Sequence, residues 1–253
     1  MPVSIDLTGR VALVTGGARG VGRGITRRFL DAGASVVICG RTEPESLPDG
    51  VTFVAADVRE PEQVAALVEA ILDEHGRLDV AVNNAGGAPP AEAATASPRF
   101  TEKIVALNML AAIHVSQAVN AVMQGQDDGG SIINITSVSG MRPSPNTAAY
   151  GAAKAGLINL VQSLAFEWGP KVRVNCLTAG LIATPEAAED FYGGKDGLDR
   201  VASVIPMKRM GTPEDVGDAC LFLTSPLASY VTGSNLVVHG GGEYPSYLLI
   251  NEQ

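Results

Sequence analysis

Two residues four positions apart, Tyr150 and Lys154 in the run Tyr150-Gly-Ala-Ala-Lys154, have types and spacing that point directly to chemistry. On a helix that step places a phenol and an ammonium on one face, a turn apart. A tyrosine hydroxyl ordinarily titrates near ~10, and a cation held beside it favours phenolate, which brings proton transfer within reach of neutral pH. The same pair arises by chance on many amphipathic helices, so its weight depends on what accompanies it.

Upstream stands Thr15-Gly-Gly-Ala-Arg-Gly-Val-Gly22, which follows an apolar run and opens a helical pattern. Gly16, Gly20 and Gly22 let the backbone approach a pyrophosphate. Arg19 and Val21 fall where a helix N-terminus offers unpaired N–H groups and a positive dipole end. The spacing is neither the G-x-G-x-x-G fingerprint nor a Walker loop, since no Gly-Lys-Ser/Thr follows. Discrimination between the nicotinamide cofactors falls to the residues after the second strand, where a carboxylate would bind the adenosine ribose. Here the residues are Cys39-Gly40-Arg41, with no carboxylate. Arg41 together with Arg19 is expected to clamp a 2′-phosphate, so NADP(H) is expected in preference to NAD(H). An NAD-dependent enzyme is the alternative, with both arginines merely solvated. Asp57, followed by Val58, is placed either to hold an adenine amino group or to cap the helix before Pro61.

Positioning these groups requires alternating strands and helices, and short apolar runs do alternate with helical patterns along the chain. Strands are predicted at Val11–Thr15, Ser35–Cys39, Val51–Ala55, Val80–Asn83, Ser131–Ile135, Val172–Leu177 and Leu236–Val238. Helices are predicted at Val21–Ala32, Pro61–Glu74, Arg99–Met123, Thr147–Trp168 and Pro213–Leu223, with a less regular stretch over Glu186–Val204. Pro44 and Pro48 exclude a full crossover helix between Gly40 and Gly50. The expectation is an α/β fold: a single doubly wound, Rossmann-like domain over residues 1–253, with a seven-stranded, mostly parallel sheet and helices on both faces. Its ligand crevice would lie beyond the carboxyl ends of the strands. Hydrophobic residues at 46% with aromatics at only 5% give an Ala/Val/Leu/Ile core, which suits such a sheet.

A formal charge of −9 without any basic run excludes a nucleic-acid partner. The cysteines Cys39, Cys176 and Cys220 and the histidines His75, His114 and His239 are dispersed, so no disulfide framework or metal site is expected. The first residues lack a signal pattern, and no uncharged stretch reaches the roughly 20 apolar residues of a membrane span. A cytoplasmic, membrane-free protein is therefore expected.

With these residues in view, the chain resembles the short-chain dehydrogenase/reductase family, in its single-domain branch, from Leu7 to Gly242. The motifs that carry the resemblance are the glycine loop, Asp57-Val58, Asn83-Asn84-Ala85-Gly86, Asn108, Ser137, Tyr150 with Lys154, Gly180 with Thr184, and Pro206-Met-Lys-Arg-Met-Gly-Thr-Pro-Glu-Asp-Val216. The resemblance implies hydride transfer between a nicotinamide and a ketone or secondary alcohol, without metal. It implies Tyr150 as acid or base, Ser137 as donor to the substrate oxygen, and Lys154 on the nicotinamide ribose. Asn108 would hold a water leading protons to Lys154. Asn84, Ala85 and Gly86 would shape the adenosine side of the cleft, and Gly180, Ile182 and Thr184 the nicotinamide side. β-Ketoacyl thioesters and ring or steroid-like ketones are the implied substrate classes. Residues 184–206 form the implied lid, with Phe191-Tyr-Gly-Gly194 as aromatic contact and hinge, and Met141, Arg142 and Asn146 are candidates for the pocket mouth. Two departures stand out: Ala179-Gly180 where relatives have Pro-Gly, which is expected to free that loop, and His239 where they often have aspartate. The helix Ala152–Trp168 carries apolar residues on more than one face, which predicts a homodimer or homotetramer. The apolar run Tyr244–Ile250 is a second candidate contact. A non-catalytic, cofactor-sensing protein of the same fold is the reading from another class.

Overall fold

The computed structural model describes residues 4–185 and 194–243. Seven strands, β1 (Val11–Thr15), β2 (Ser35–Gly40), β3 (Val51–Ala55), β4 (Val80–Asn83), β5 (Gly130–Ser137), β6 (Val172–Ala179) and β7 (Asn235–Val238), form one sheet. Their order is β3-β2-β1-β4-β5-β6-β7 and every pairing is parallel. The chain winds outward from β1 to β3 and then returns to lay β4 on the other side of β1. That reversal opens a crevice between the carboxyl ends of β1 and β4.

Two apolar layers follow from strand alternation. Val11 and Leu13 of β1 face one side, with Val37, Ile132 and Val174, against α2 (Pro61–His75), α4 (Ala111–Gly125) and α5 (Ala148–Trp168). Ala12 and Val14 face the other, with Val36, Ile38, Val82 and Ile133, against Ile25 and Phe29 of α1 (Gly20–Asp31) and Val216, Cys220 and Leu223 of the helix Pro213–Thr224. Helix starts are chemically marked. Pro61 opens α2, the Ser97 hydroxyl accepts from Phe100 N at 3.2 Å ahead of α3 (Pro98–Val105), and Thr212 with Asp215 forms a reciprocal cap ahead of Pro213. Within the expected irregular stretch, Lys195–Val204 forms α6, so the helix Pro213–Thr224 is α7.

The largest departures from expectation are in β5, β6 and the long helix. Strands β5 and β6 run two residues further, to Ser137 and Ala179, which pair with each other. Buried hydroxyls hold that extension: Thr136 and Thr178 lie 2.6 Å apart, and Thr178 donates to Asn235 at 2.7 Å. The predicted helix Arg99–Met123 is interrupted by a π-helical turn, Ala106–Leu110. The run Pro98–Gly125, which contains an 18-residue window of mean hydropathy 1.4, is also long and apolar enough by length and composition to cross a membrane. Its Ala111, Val115, Val119 and Met123 nevertheless belong to the core beside the sheet.

Candidate active site

At the nucleotide end, Thr15 closes β1 with a buried hydroxyl that accepts from the backbone N–H groups of Asn84 (3.0 Å) and Ala85 (2.9 Å). The Asn84 amide donates in turn to the carbonyls of Thr15 (2.9 Å) and Gly16 (3.2 Å). Asn84 therefore shapes the cleft by clamping the glycine loop onto the end of β4. Gly16 has φ +65°, and a Cβ on Gly22 would fall 2.2 Å from the Gly16 carbonyl oxygen. Both positions are thus closed to a side chain, one by backbone conformation and one by space. Gly20 is the first residue of α1 and Val21 is half-buried. Arg19 caps α1 without a side-chain bond, and the first turn holds no acidic residue. The orphan N–H groups of that turn carry no side-chain cap and no competing carboxylate, so the residues fit a pyrophosphate.

Arg41 and Arg19 are both exposed. Asp57, at the end of β3, is engaged by Arg59, whose Nε donates at 2.9 Å and whose Nη2 makes an ion pair. The bonds from Arg59 hold the Asp57 carboxyl below its ordinary value, with a smaller contribution from the charge of Arg41. Asp57 does not cap α2; Glu60 stands at that position. Val58 is buried in the core, so its backbone alone can reach a ligand.

Catalytic candidates converge beyond the ends of β4 and β5. Ser137 ends β5, accepts from Ser139 N at 3.2 Å, and stands close enough to Tyr150 for its hydroxyl to lower the pKa of the phenol. Lys154 is buried, lies 5.6 Å from the centroid of the Tyr150 ring, and donates to the Ile135 carbonyl at 2.8 Å. In the protein alone burial opposes the phenolate form. Burial raises the Tyr150 pKa, and the Ser137 hydroxyl offsets this only in part. Burial also pushes Lys154 down to about 8. Desolvation by burial thus shifts both groups toward neutrality.

Asn108 lies in the π turn, fully enclosed. Its amide donates to Ile104 O and Gly87 O, each at 2.9 Å, and its oxygen accepts from Gly87 N at 2.8 Å. The side chain takes the Ile104 carbonyl that an α-helix would offer to the backbone of residue 108, which accounts for the widened turn. A Cβ on Gly86 would fall 2.7 Å from Asn108 Oδ1 and 3.3 Å from Lys154 Nζ, so Gly86 leaves bare backbone between the two. Asn83 is not a simple turn residue. Its amide enters the core and donates to Ser116 and Asn134, both at 2.9 Å.

Beyond Ser137 a cavity of about 370 Å³ opens, lined by Val138, Met141, Arg142, Gly180, Leu181, Ile205, His239, Gly242 and Glu243. Met141 and Arg142 are at the pocket as anticipated. Asn146 instead holds Ala91 N through its carbonyl at 2.7 Å. Gly180 packs on His239, where a Cβ would fall 2.6 Å from the histidine Cβ. Ala179 does not free its loop: Gly180 N donates to Val238 O at 2.9 Å, and Leu181 and Ala183 are tied to Gly211 by backbone bonds. Ile182 packs over Gly211, and Thr184 is half-buried. Phe191, Tyr192 and the run Tyr244–Ile250 lie outside the described residues. Sequence reasoning missed the Thr15 hydroxyl, Leu181, Ile205 and Glu243. The glycine triplet 240–242 was the one local signal that a cavity wall ends there.

The model of the family described as Enoyl-(Acyl carrier protein) reductase matches residues 16–243. The chain is 37% identical over 247 residues to the 3-oxoacyl-[acyl-carrier-protein] reductase FabG of Chlamydia muridarum, covering 93% of this chain and 98% of that one. It belongs to the short-chain dehydrogenase/reductase family. Among solved structures of short-chain dehydrogenases, the ligand-free aldohexose dehydrogenase of Thermoplasma acidophilum superposes with a TM-score of 0.88 at 32% identity, covering 94% of this chain and 95% of that one. A putative short-chain alcohol dehydrogenase from Sinorhizobium meliloti gives 0.85 at 33% identity, with 94% and 97% covered. As a short-chain dehydrogenase/reductase, the protein is an NAD(P)-dependent oxidoreductase acting on CH–OH groups.

Proposed function

We propose that this enzyme interconverts a ketone and a secondary alcohol with NADP(H), using Tyr150 as the proton donor or acceptor. The observation that carries the reading is the meeting of Ser137, Tyr150 and Lys154 at one end of the crevice while the glycine loop and α1 N-terminus form its other end. When bound, the nicotinamide supplies or accepts the hydride at the carbon of the reacting carbonyl.

The chain's own residues do the rest. Ser137 orients the substrate oxygen and donates to it as charge grows there. Tyr150 gives that oxygen its proton in reduction and removes it in oxidation. Lys154, held by the Ile135 carbonyl beside the bare backbone of Gly86, would hold the ribose of a bound nicotinamide nucleotide and supply positive charge that stabilises phenolate. Asn108 fixes the Gly86–Gly87 backbone and thereby the floor of this site. Gly180, Ile182 and Thr184 would border a bound nicotinamide. Arg41 and Arg19, both exposed and without ion pairs among the described residues, support selection of the 2′-phosphate.

The test follows NADPH absorbance over a panel of ketones. Oxidation that Tyr150→Phe abolishes is the expected result; tight nucleotide binding with no turnover on any ketone would overturn the enzymatic reading. We also propose a homodimer or homotetramer built on α5, where Phe166 is 91% exposed while Leu157, Val161 and Leu164 face the core. Sedimentation over a range of concentrations checks this, and a monomer throughout would exclude it.

A further inference from the structure

The substrate cavity has two unlike ends. Near Ser137 its wall is apolar, from Val138, Met141, Leu181 and Ile205. At the mouth an ion pair joins Arg142 Nη2 to the carboxylate of Glu243, two residues 101 positions apart in the chain. Among the described lining residues these carry the full charges, with His239 beside them.

The partners are not held equally. Arg142 also donates through Nη1 to the Pro143 carbonyl at 2.9 Å, which fixes the guanidinium on the loop after β5. Glu243 follows Gly240, Gly241 and Gly242, with φ of 64°, 99° and 93°, and the Arg142 pair is the side-chain bond it makes among the described residues. Both side chains are more than a third exposed. An ion pair in that position contributes little to stability and exchanges readily. The cation is therefore anchored and the anion replaceable.

Resting on the proposed reduction of a ketone at Tyr150, we infer that the substrate is an oxo acid whose carboxylate takes the place of Glu243 on Arg142. Its carbon skeleton lies against Val138, Met141, Leu181 and Ile205, and its ketone meets Ser137. A second carboxylate restores the charge balance that Glu243 supplies when no substrate is present. The two forked N–H groups of a guanidinium match it better than a neutral ester or amide.

The experiment compares 4-oxopentanoate and 4-oxocyclohexanecarboxylate with their methyl esters on the full-length enzyme with NADPH. The acids are expected to exceed the esters in kcat/KM by about tenfold or more, the size of a charge-assisted contact. Arg142→Gln brings the acid-to-ester ratio of kcat/KM to about one through the KM of the acids, whereas Glu243→Gln raises that ratio. Esters and acids turned over equally, with Arg142→Gln indifferent, would overturn the inference while leaving ketone reduction intact. Calorimetric titration of 4-oxocyclohexanecarboxylate onto enzyme with NADP⁺ needs no turnover. Binding lost in Arg142→Gln supports the carboxylate site by itself, and binding that the substitution does not change refutes it.

Discussion

The two ends of the cleft sit on the carboxyl edge of the same sheet yet are built from different material. At the nucleotide end the shape is bare glycine backbone, Gly16 and Gly22 in close contact, pinned by the Thr15 hydroxyl and the Asn84 amide on main-chain groups. At the catalytic end the work falls to side chains, Ser137, Tyr150 and Lys154, and burial raises the pKa of Tyr150 and lowers that of Lys154. The first is a mould, so damage to it should appear as lost binding. The second is a charge device, so damage there should appear as lost turnover.

Substitutions at the catalytic end give the largest expected effects. Tyr150→Phe should lower kcat/KM by about 10³-fold, within the usual range for a positioned acid or base. Ser137→Ala should cost about 10²-fold, the lower range for loss of one donor to a developing oxyanion. Both should leave NADPH affinity within about twofold by fluorescence titration, a change of less than about 0.5 kcal/mol. A parallel loss of affinity in either variant would mean that the two ends are not separable.

Gly22→Ala is the converse case. Its new Cβ would overlap the Gly16 carbonyl oxygen and press on the Asn84 amide, 2.5 Å away. Overpacking of this kind costs about 1–3 kcal/mol. NADPH affinity should fall by up to about 10²-fold, while the pH profile of the residual turnover stays that of the parent. A shifted profile would tie the glycine loop to the chemistry.

The same contrast explains what the sequence makes legible. Glycine spacing, strand runs and caps are local, and all seven strands and the glycine loop fall where the pattern puts them. The extensions of β5 and β6 escape it because Thr136 and Thr178 are polar, and their hydroxyls find partners only across strands. The π turn escapes it because one extra residue barely disturbs the apolar periodicity from 99 to 123, while its cause, the Asn108 amide on the Ile104 carbonyl, is a side-chain event. The Asp57–Arg59 pair and the wall formed by His239 and Glu243 depend on side-chain placement that no motif encodes. The direction of the Tyr150 shift belongs with them: spacing reveals a neighbouring cation but not the water excluded around it.

Lys154 gives a sharper test of that burial. Its pKa falls from 10.5 to about 8 through desolvation. Between those values the unfolded chain keeps a proton that the folded chain has released, so the unfolding free energy rises with pH. Below about 8 both states are charged and the penalty is fully present. Urea denaturation of nucleotide-free protein at about pH 8 and about pH 9.5 should show a rise on the order of 2 kcal/mol. Lys154→Met should lack it, and the difference between the two proteins cancels other groups that titrate there. An identical rise in the variant would show that a group other than this ammonium is responsible.

Arg41 carries the smallest predicted effect and bears on the mould's one charged margin. It lies past the end of β2, exposed, and close enough to Asp57 for its charge to lower that carboxyl, whose main partner is Arg59. Arg59 thus neutralises the carboxylate beside it, which leaves Arg41 available to a 2′-phosphate. Arg41→Ala should weaken NADPH by about tenfold, one charge-assisted contact at a solvated site, and leave NADH unchanged. Arg59→Ala should act in the same direction by another route, since an unpaired Asp57 would repel the phosphate and draw Arg41 toward itself. If NADH is instead preferred by the parent and the preference survives Arg41→Ala, the arginines do not read the phosphate, and cofactor choice rests on the backbone mould alone.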